Sequence, residues 1–399
     1  MEIGNSDTSE FSALIVGVTG MVGLSLAEAL KNPAISGKNR AWKVYGIARS
    51  TSLPTWFPSS LLDDFIPVDI LDQEVTTKKL TPLSSRITHI FWVVRQHVNS
   101  EETNIILNST MLKNVLNVMK SASSSSKFKH ITLLTGTKHY MGPIFDTNFG
   151  KKVLVLDQDP PFKEDVPRLP YPNFYYALED LLASCTGGPS ATPFESVPAY
   201  VPSVTYSVHR SSIIIGASSK SFRSSLLTLC VYATICGFKG IPFKYPGSKY
   251  TWEHFCDMSD SGLLAEQQIW AAVTDGAKNQ AFNCSNGDVF TWKRLWKELS
   301  EIFDVGFVEF DEKDKIENWG EMMSGKSEVW DEIVEKYGLY KTKMEDVTCY
   351  DALSVVLNFE FQHVCSMNKS RELGFFGFRD TFKSIRFWVK RLKDMKIIP

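Results

Sequence analysis

The stretch that most limits what this chain can become is "ALIVGVTGMVGLSLAEAL", beginning at Ala13. An apolar strand runs into Gly17, Gly20 and Gly23 at G-x-x-G-x-x-G spacing, and an amphipathic helix follows. Glycines there let the backbone turn tightly and come close to a pyrophosphate, and the helix N-terminus adds N–H groups and the positive end of its dipole. Glycines also punctuate ordinary turns. The strand before and the helix after them argue for a nucleotide-binding first βα turn.

Further apolar runs keep the same rhythm: "KVYGIA" at 43, "FIPVDI" at 65, "ITHIFWVV" at 87 and "HITLLTG" at 130, with amphipathic stretches between them. That alternation predicts an α/β fold with a doubly wound parallel sheet covered on both faces. Between the fourth and fifth runs, "NSEETNIILNSTMLKNVLNVMK" reads as a helix capped by Asn99, with Glu102 in capping-box position and Ile105, Leu112, Val115 and Met119 on one face. "VTYSVHRSSIIIG" reads as a strand, and residues 185–203, rich in glycine, proline and serine, as a surface loop inserted before it. The division expected is a dinucleotide-binding part over 12–223 and a smaller, mostly helical substrate-binding part over 224–399, interleaved with the sheet. In the latter, Trp292, Leu295, Trp296 and Leu299 form the apolar stripe of a core helix. Residues 311–340 read as a polar helical run, either an outer layer or a lid.

Composition narrows the partners. In 399 residues with a formal charge of -2, lysines and acids are mixed along the chain, so the electrostatic footprint of a nucleic-acid or anionic-membrane protein is missing. The longest apolar run, "LLTLCVYATICGF" from Leu226, is too short to span a bilayer. Seven scattered cysteines without C-x-x-C spacing suit a reducing compartment and no metal site, and the polar N-terminus is unlike a signal peptide. A cytoplasmic protein with a small-molecule partner is expected.

Two positions speak to the cofactor. Where an acid would grip the ribose hydroxyls of NAD, the second strand ends in Arg49 and Ser50, a pair suited to a 2′-phosphate through charge-assisted hydrogen bonds. NADPH is thus favoured, although an arginine at a strand end is also a common surface charge. Asp69, at the end of the third strand, is placed to meet the adenine.

The stretch "YPNFYYALEDLL" carries adjacent tyrosines, Tyr175 and Tyr176, at a helix start. A tyrosine proton relay usually has a lysine four residues on, but Glu179 and Asp180 stand there. Lys138, just past the fifth strand in "TGTKHYMGP", is the candidate in its place, because strand carboxyl ends line the ligand crevice. A tyrosine hydroxyl with a nearby ammonium can hold or protonate a substrate oxygen that gathers negative charge. Neighbouring helix residues point about 100° apart, so only one of the two tyrosines faces the cofactor. A packed aromatic with its hydroxyl bonded is an equally open reading of either.

Together "GVTGMVG", "WKVYGIAR", "THIFWV", "TGTKHYMGP", "EDVPRLPYPNFYYALED", "YPGSKYTWE" and "SMNKSRELGFFGFRD" resemble the plant progesterone 5β-reductase and iridoid synthase family, atypical extended short-chain dehydrogenases of Rossmann type. The matching words run in order over nearly the whole chain. The resemblance implies NADPH-dependent 1,4-reduction of the activated double bond of an enone or enal, with Tyr175 and Lys138 holding the enolate. By position it implies cofactor contacts at Thr19, Gly20, Met21, Arg49, Ser50, Asp69, Ile70, Val94, Leu134, Ile214, Ser221, Phe222 and Arg223. Tyr140, Met141 and Phe145 would join Lys138 and Tyr175 at the substrate, and a homodimer is implied. The chain departs from the family pattern where "VTW" becomes "VVR" at Val93–Arg95, "HRP" becomes "HRS" at Ser211, and a second arginine gives way to Ser50. Two alternatives share the scaffold: a carbonyl reductase or sugar-nucleotide epimerase, and a non-catalytic NADP-binding regulatory protein.

Overall fold

A computed structural model describes residues 11–37, 41–121, 127–146, 159–186, 204–219 and 224–399. The chain forms two compact units, each drawn from three stretches: Met1–Thr135, Pro172–His209 and Ala265–Phe282 in the first, Gly136–Tyr171, Arg210–Leu264 and Asn283–Pro399 in the second.

The five expected strands are present as β1 (Phe11–Val16), β2 (Trp42–Ala48), β3 (Asp64–Pro67), β4 (His89–Trp92) and β5 (His130–Gly136). With β6 (Thr205–Ser211) and β10 (Gln280–Cys284) they make a seven-stranded sheet in the order β10-β6-β5-β4-β1-β2-β3. The pairings β1 with β2, β1 with β4, β2 with β3 and β4 with β5 are parallel. This is the doubly wound order, in which the sheet reverses direction of growth between β1 and β4 and leaves a crevice at their carboxyl ends. Ala13, Leu14, Ile15 and Val16 are at most 1% exposed, which is why the strand reads as unbroken apolar residues rather than alternating ones. Leu112, Val115 and Met119 of the helix Glu101–Ser121 and Leu178, Leu181 and Leu182 of the helix Phe174–Thr186 pack in the same core.

The helix after β4 starts later than expected. Ser100, not Asn99, precedes its first residue, and the Ser100 hydroxyl accepts from the Thr103 N–H at 3.2 Å. The expected strand from Val204 also breaks: β6 stays in the large sheet, while β7 (Ile213–Ile215) pairs with β9 (Met258–Asp260). The cause is Ser212, whose N–H and hydroxyl turn to Ser259 and Asp257. Of the expected loop 185–203, Cys185 and Thr186 close the tyrosine helix and the rest lies outside the described residues.

The second unit is built on the helix Ser225–Lys239, which contains the whole of the longest apolar run and is buried along Leu226–Cys236. Trp292, Leu295, Trp296 and Leu299 pack there as one stripe of the helix Trp292–Ile302. The Trp296 ring stacks on Phe243 at 4.3 Å and its N–H donates to the Phe243 carbonyl at 2.9 Å. The polar run 311–340 is anchored: Trp319, Met323, Trp330 and Ile333 are buried in this same core. β8 (Phe255–Cys256) pairs with β11 (Phe290–Thr291) at its edge. No helix among the described residues is long and apolar enough to cross a membrane.

A buried chain of polar groups runs through the first unit. The His209 Nδ1–H donates to Gln267 Oε1 at 2.8 Å, so its Nε2 accepts from Ser207 Oγ at 3.0 Å. Ser207, having spent its one proton, accepts from His130 Nε2 at 3.0 Å, and His130 Nδ1 meets Thr205 Oγ1 at 2.8 Å. In this arrangement the His209 ring, donating through Nδ1 and accepting at Nε2, is neutral. Burial drives the His209 pKa down to about 4, against a partial upward pull from Gln267. For His130 burial also comes first, joined by His89, His209 and Lys278, and its pKa lies well below the ordinary value. Above about pH 6.5 both chain states hold these rings neutral; as pH falls below that, the unfolded chain takes up protons that the folded one refuses, so stability is lost. For His209 the full loss, complete near pH 4, is about 3 kcal/mol. The thermal midpoint should therefore fall between about pH 7 and about pH 4.5 in scanning calorimetry, and His209→Gln, which does not titrate, should make that fall smaller.

Candidate active site

At the end of β1 the chain enters Gly17 with φ of +98°, and the N–H groups of Gly17 and Val18 both donate to the Ile47 carbonyl on β2, at 3.0 and 3.2 Å. The Gly20 N–H returns to the Gly17 carbonyl at 3.1 Å, and the helix Met21–Lys31 begins with Gly20 as its cap. A Cβ on Gly23 would lie 2.3 Å from the Gly17 oxygen and 2.7 Å from that of Val18. Helix backbone thus rests directly on turn backbone, and the first helical turn, with Thr19 half-buried just before it, points its N–H groups along the crevice. A Cβ on Gly17 would meet that of Val94 at 3.0 Å, which places the end of β4 against the turn. Such a floor fits a dinucleotide's pyrophosphate.

The remaining expected cofactor positions in this unit sit at strand ends. Arg49 is exposed and Ser50 half-buried just past β2. Beyond β3, Asp69 is exposed and its carboxylate accepts from the Leu71 N–H at 3.1 Å, while Ile70 is buried. Asn114 pins this loop by donating to the Ile70 and Leu71 carbonyls, at 2.9 and 3.1 Å. Leu134 is half-buried in β5.

The loop after β4 is held at two points by one helix. Asn108 exchanges a pair of hydrogen bonds with the backbone of Gln96, both 2.9 Å, and Asn104 does the same with Val98, at 2.7 and 2.9 Å. Between Val94 and Gln96 stands Arg95, whose Nη1 donates to the Tyr175 hydroxyl oxygen at 2.9 Å. Tyr175 is 4% exposed near the start of its helix. That start is fixed by Asn173 Oδ1, which accepts from the Tyr175 N–H at 3.0 Å, and by Glu101 Oε1, which accepts from the Phe174 N–H at 2.6 Å. Tyr176, Glu179 and Asp180 are buried as well.

In the second unit, Lys138 opens a helical turn, Lys138–Met141, and is buried. Thr137 before it donates its N–H to the Ser211 carbonyl at 3.0 Å, and its hydroxyl meets His363 Nε2 at 2.8 Å. The far side of His363 meets Ser212 Oγ at 3.3 Å, and Ser212 donates to Asp257 at 2.5 Å. Burial pushes the Asp257 carboxyl up to about 7 and the His363 ring down to about 4, both toward neutrality. Tyr140, expected at the substrate, is fully enclosed: its ring stacks on Phe162 at 5.0 Å and its hydroxyl donates to Asn283 at 2.6 Å and accepts from Arg210 at 3.3 Å. Both ends of that side chain are committed to packing. Met141 is buried and Phe145 half-buried in the same cluster, with Phe359 and Phe361. Ile214 is half-buried in β7, and Ser221, Phe222 and Arg223 lie outside the described residues.

Sequence reasoning did not find Glu101, Asn104, Asn108, Asn114 or His363. The signal for two of them was present, since Asn104 and Asn108 stand four apart on the inward side of a helix, where an unpartnered amide would be costly.

Comparison with known proteins fits this geometry. The model of the PRISE-like Rossmann-fold domain matches residues 13–399. An (S)-8-oxocitronellyl enol synthase of Camptotheca acuminata is 44% identical over 97% of this chain and 93% of its own. A 3-oxo-Delta(4,5)-steroid 5-beta-reductase of Arabidopsis thaliana is 43% identical over 99% and 95%. Among solved structures, the UDP-glucose 4-epimerase of Thermotoga maritima with UDP-glucose superposes with a TM-score of 0.61 at 14% identity, covering 96% of this chain and 99% of its own. That last likeness is one of fold. A match spanning 13–399, with relatives above 40% identity along nearly the full length of both chains, makes this chain a member of the PRISE-like Rossmann-fold family.

Proposed function

We propose that this protein is an NADPH-dependent reductase of conjugated enones and enals. The observation that carries the reading is the pair of relatives above 40% identity. One is named for a 3-oxo-Δ4,5 steroid and the other for an enol product, and the two chemistries meet at the oxygen of an enolate. Tyr175, with its hydroxyl already held by a cation, is the group in the first unit suited to that oxygen.

NADPH, when bound, supplies hydride to the β-carbon of the double bond. The Gly17–Gly23 turn would hold its pyrophosphate, Arg49 and Ser50 its 2′-phosphate, and Asp69 with Ile70 its adenine; Val94, Leu134, Ile214 and residues 221–223 complete the proposed cofactor set. As electrons move onto the carbonyl oxygen of the substrate, Tyr175 donates a hydrogen bond to it and Lys138 contributes positive charge. The α-carbon then takes a proton, ultimately from water, and the saturated carbonyl is released. Lys138 serves in place of a lysine four residues past Tyr175, where Glu179 stands. Met141 and Phe145 offer apolar contact to the substrate. All seven cysteines are free thiols, which supports a reducing, cytoplasmic setting.

The experiment is NADPH oxidation against progesterone, 8-oxogeranial and a small cyclic enone, with NADH in parallel and products identified by mass spectrometry. Saturated carbonyl products are expected; an alcohol with its double bond intact would instead establish carbonyl reduction. Tyr175→Phe and Lys138→Met should each lower kcat by roughly 10²- to 10⁴-fold while NADPH fluorescence titration still shows binding. Arg49→Ala should raise the KM for NADPH about 10- to 100-fold and leave that for NADH nearly unchanged, and equal effects on both would remove Arg49 from the 2′-phosphate site.

A further inference from the structure

We propose that Arg95 is a positioning residue for this reaction, acting through the Tyr175 hydroxyl; the inference rests on the function proposed above. A phenol has one O–H to give and two lone pairs to receive with, whereas a guanidinium only donates. The 2.9 Å bond from Arg95 Nη1 therefore occupies a lone pair of Tyr175 and does not draw on its proton. A donor-only neighbour suits a group that must give a hydrogen bond to a developing enolate. A neighbour able to accept would compete with the substrate for the proton, and Arg95 does not.

The placement is built. Arg95 itself is exposed, yet its head reaches a hydroxyl on a side chain that is 4% exposed. Asn104 and Asn108, buried on one helix, fix the backbone immediately after it, and Val94 fixes it on the other side by contact with the glycine turn. The same helix supplies Glu101, which anchors the start of the helix that carries Tyr175. Donor and acceptor are thus referred to one rigid element, so the bond does not depend on a long side chain finding its partner by chance. The arginine also stands where the chain departs from the family's "VTW" pattern.

The test is a double-mutant cycle of Arg95→Met and Tyr175→Phe, read by kcat on a small cyclic enone with NADPH and by calorimetric affinity for the matching saturated ketone in the presence of NADP⁺. Arg95→Met is expected to lower kcat about 10-fold and weaken ketone binding several-fold with Tyr175 in place, and to do neither once Tyr175 is phenylalanine. The KM for NADPH should stay unchanged, and Arg95→Lys should restore part of the loss, because an ammonium donates without the planar fork. An Arg95→Met protein equal to its parent, or one whose defect persists unchanged in the Tyr175→Phe background, overturns the inference while leaving the function in place. A parent that reduces no enone overturns both.

Discussion

Contact between backbone and backbone at the first turn governs the first unit. With the Gly17 carbonyl 2.3 Å from where a Gly23 side chain would begin, the helix Met21–Lys31 docks closer to its strand than any other residue allows. Two N–H groups tie the same turn to β2, and Val94 closes on it from β4. The positions of three strand ends are thereby set relative to one helix terminus. The turn proposed to hold a pyrophosphate and the loop that carries Arg95 to Tyr175 are set by the same constraint.

A second level of order comes from the helix Glu101–Ser121. Its Glu101, Asn104, Asn108 and Asn114 reach the tyrosine helix, the loop after β4 and the loop after β3. Amides suit this task, because one side chain can satisfy both an N–H and a carbonyl of an irregular strand end, and buried loop backbone has no water to turn to. The helix therefore does more than cover the sheet. It fixes the geometry of loops that would otherwise be the most mobile parts of the unit.

The parts of this arrangement that depend on local pattern were readable from the amino acids. The glycine spacing, the five apolar strands and the Trp292–Leu299 stripe are all local, and burial follows from them. The break at Ser212 was hidden, since "VTYSVHRSSIIIG" has continuous strand character and only Asp257 and Ser259, more than forty residues on, pull the serine out of line. The cap of the helix after β4 moved by one residue because Asn99 and Ser100 are both good caps and local sequence does not choose between them. The resemblance implies Tyr140 at the substrate, and local sequence gives no sign that its hydroxyl meets Asn283, 143 residues on. The bond from Arg95 to Tyr175 was equally out of reach: the arginine registered as a departure from the family pattern, but not which atom it would face.

The large sheet also has a calendar. Its edge strand β10 is made of residues 280–284, while β6, which it borders, is complete at Ser211. During synthesis from the N-terminus, β6 must exist for some time with its outer row of N–H and C=O groups facing no strand, a condition that invites pairing with other chains. The buried relay of Ser207 and His209 waits for Gln267 over the same interval. Translation of residues 212–279 therefore separates the completion of β6 from the arrival of the strand that covers its edge.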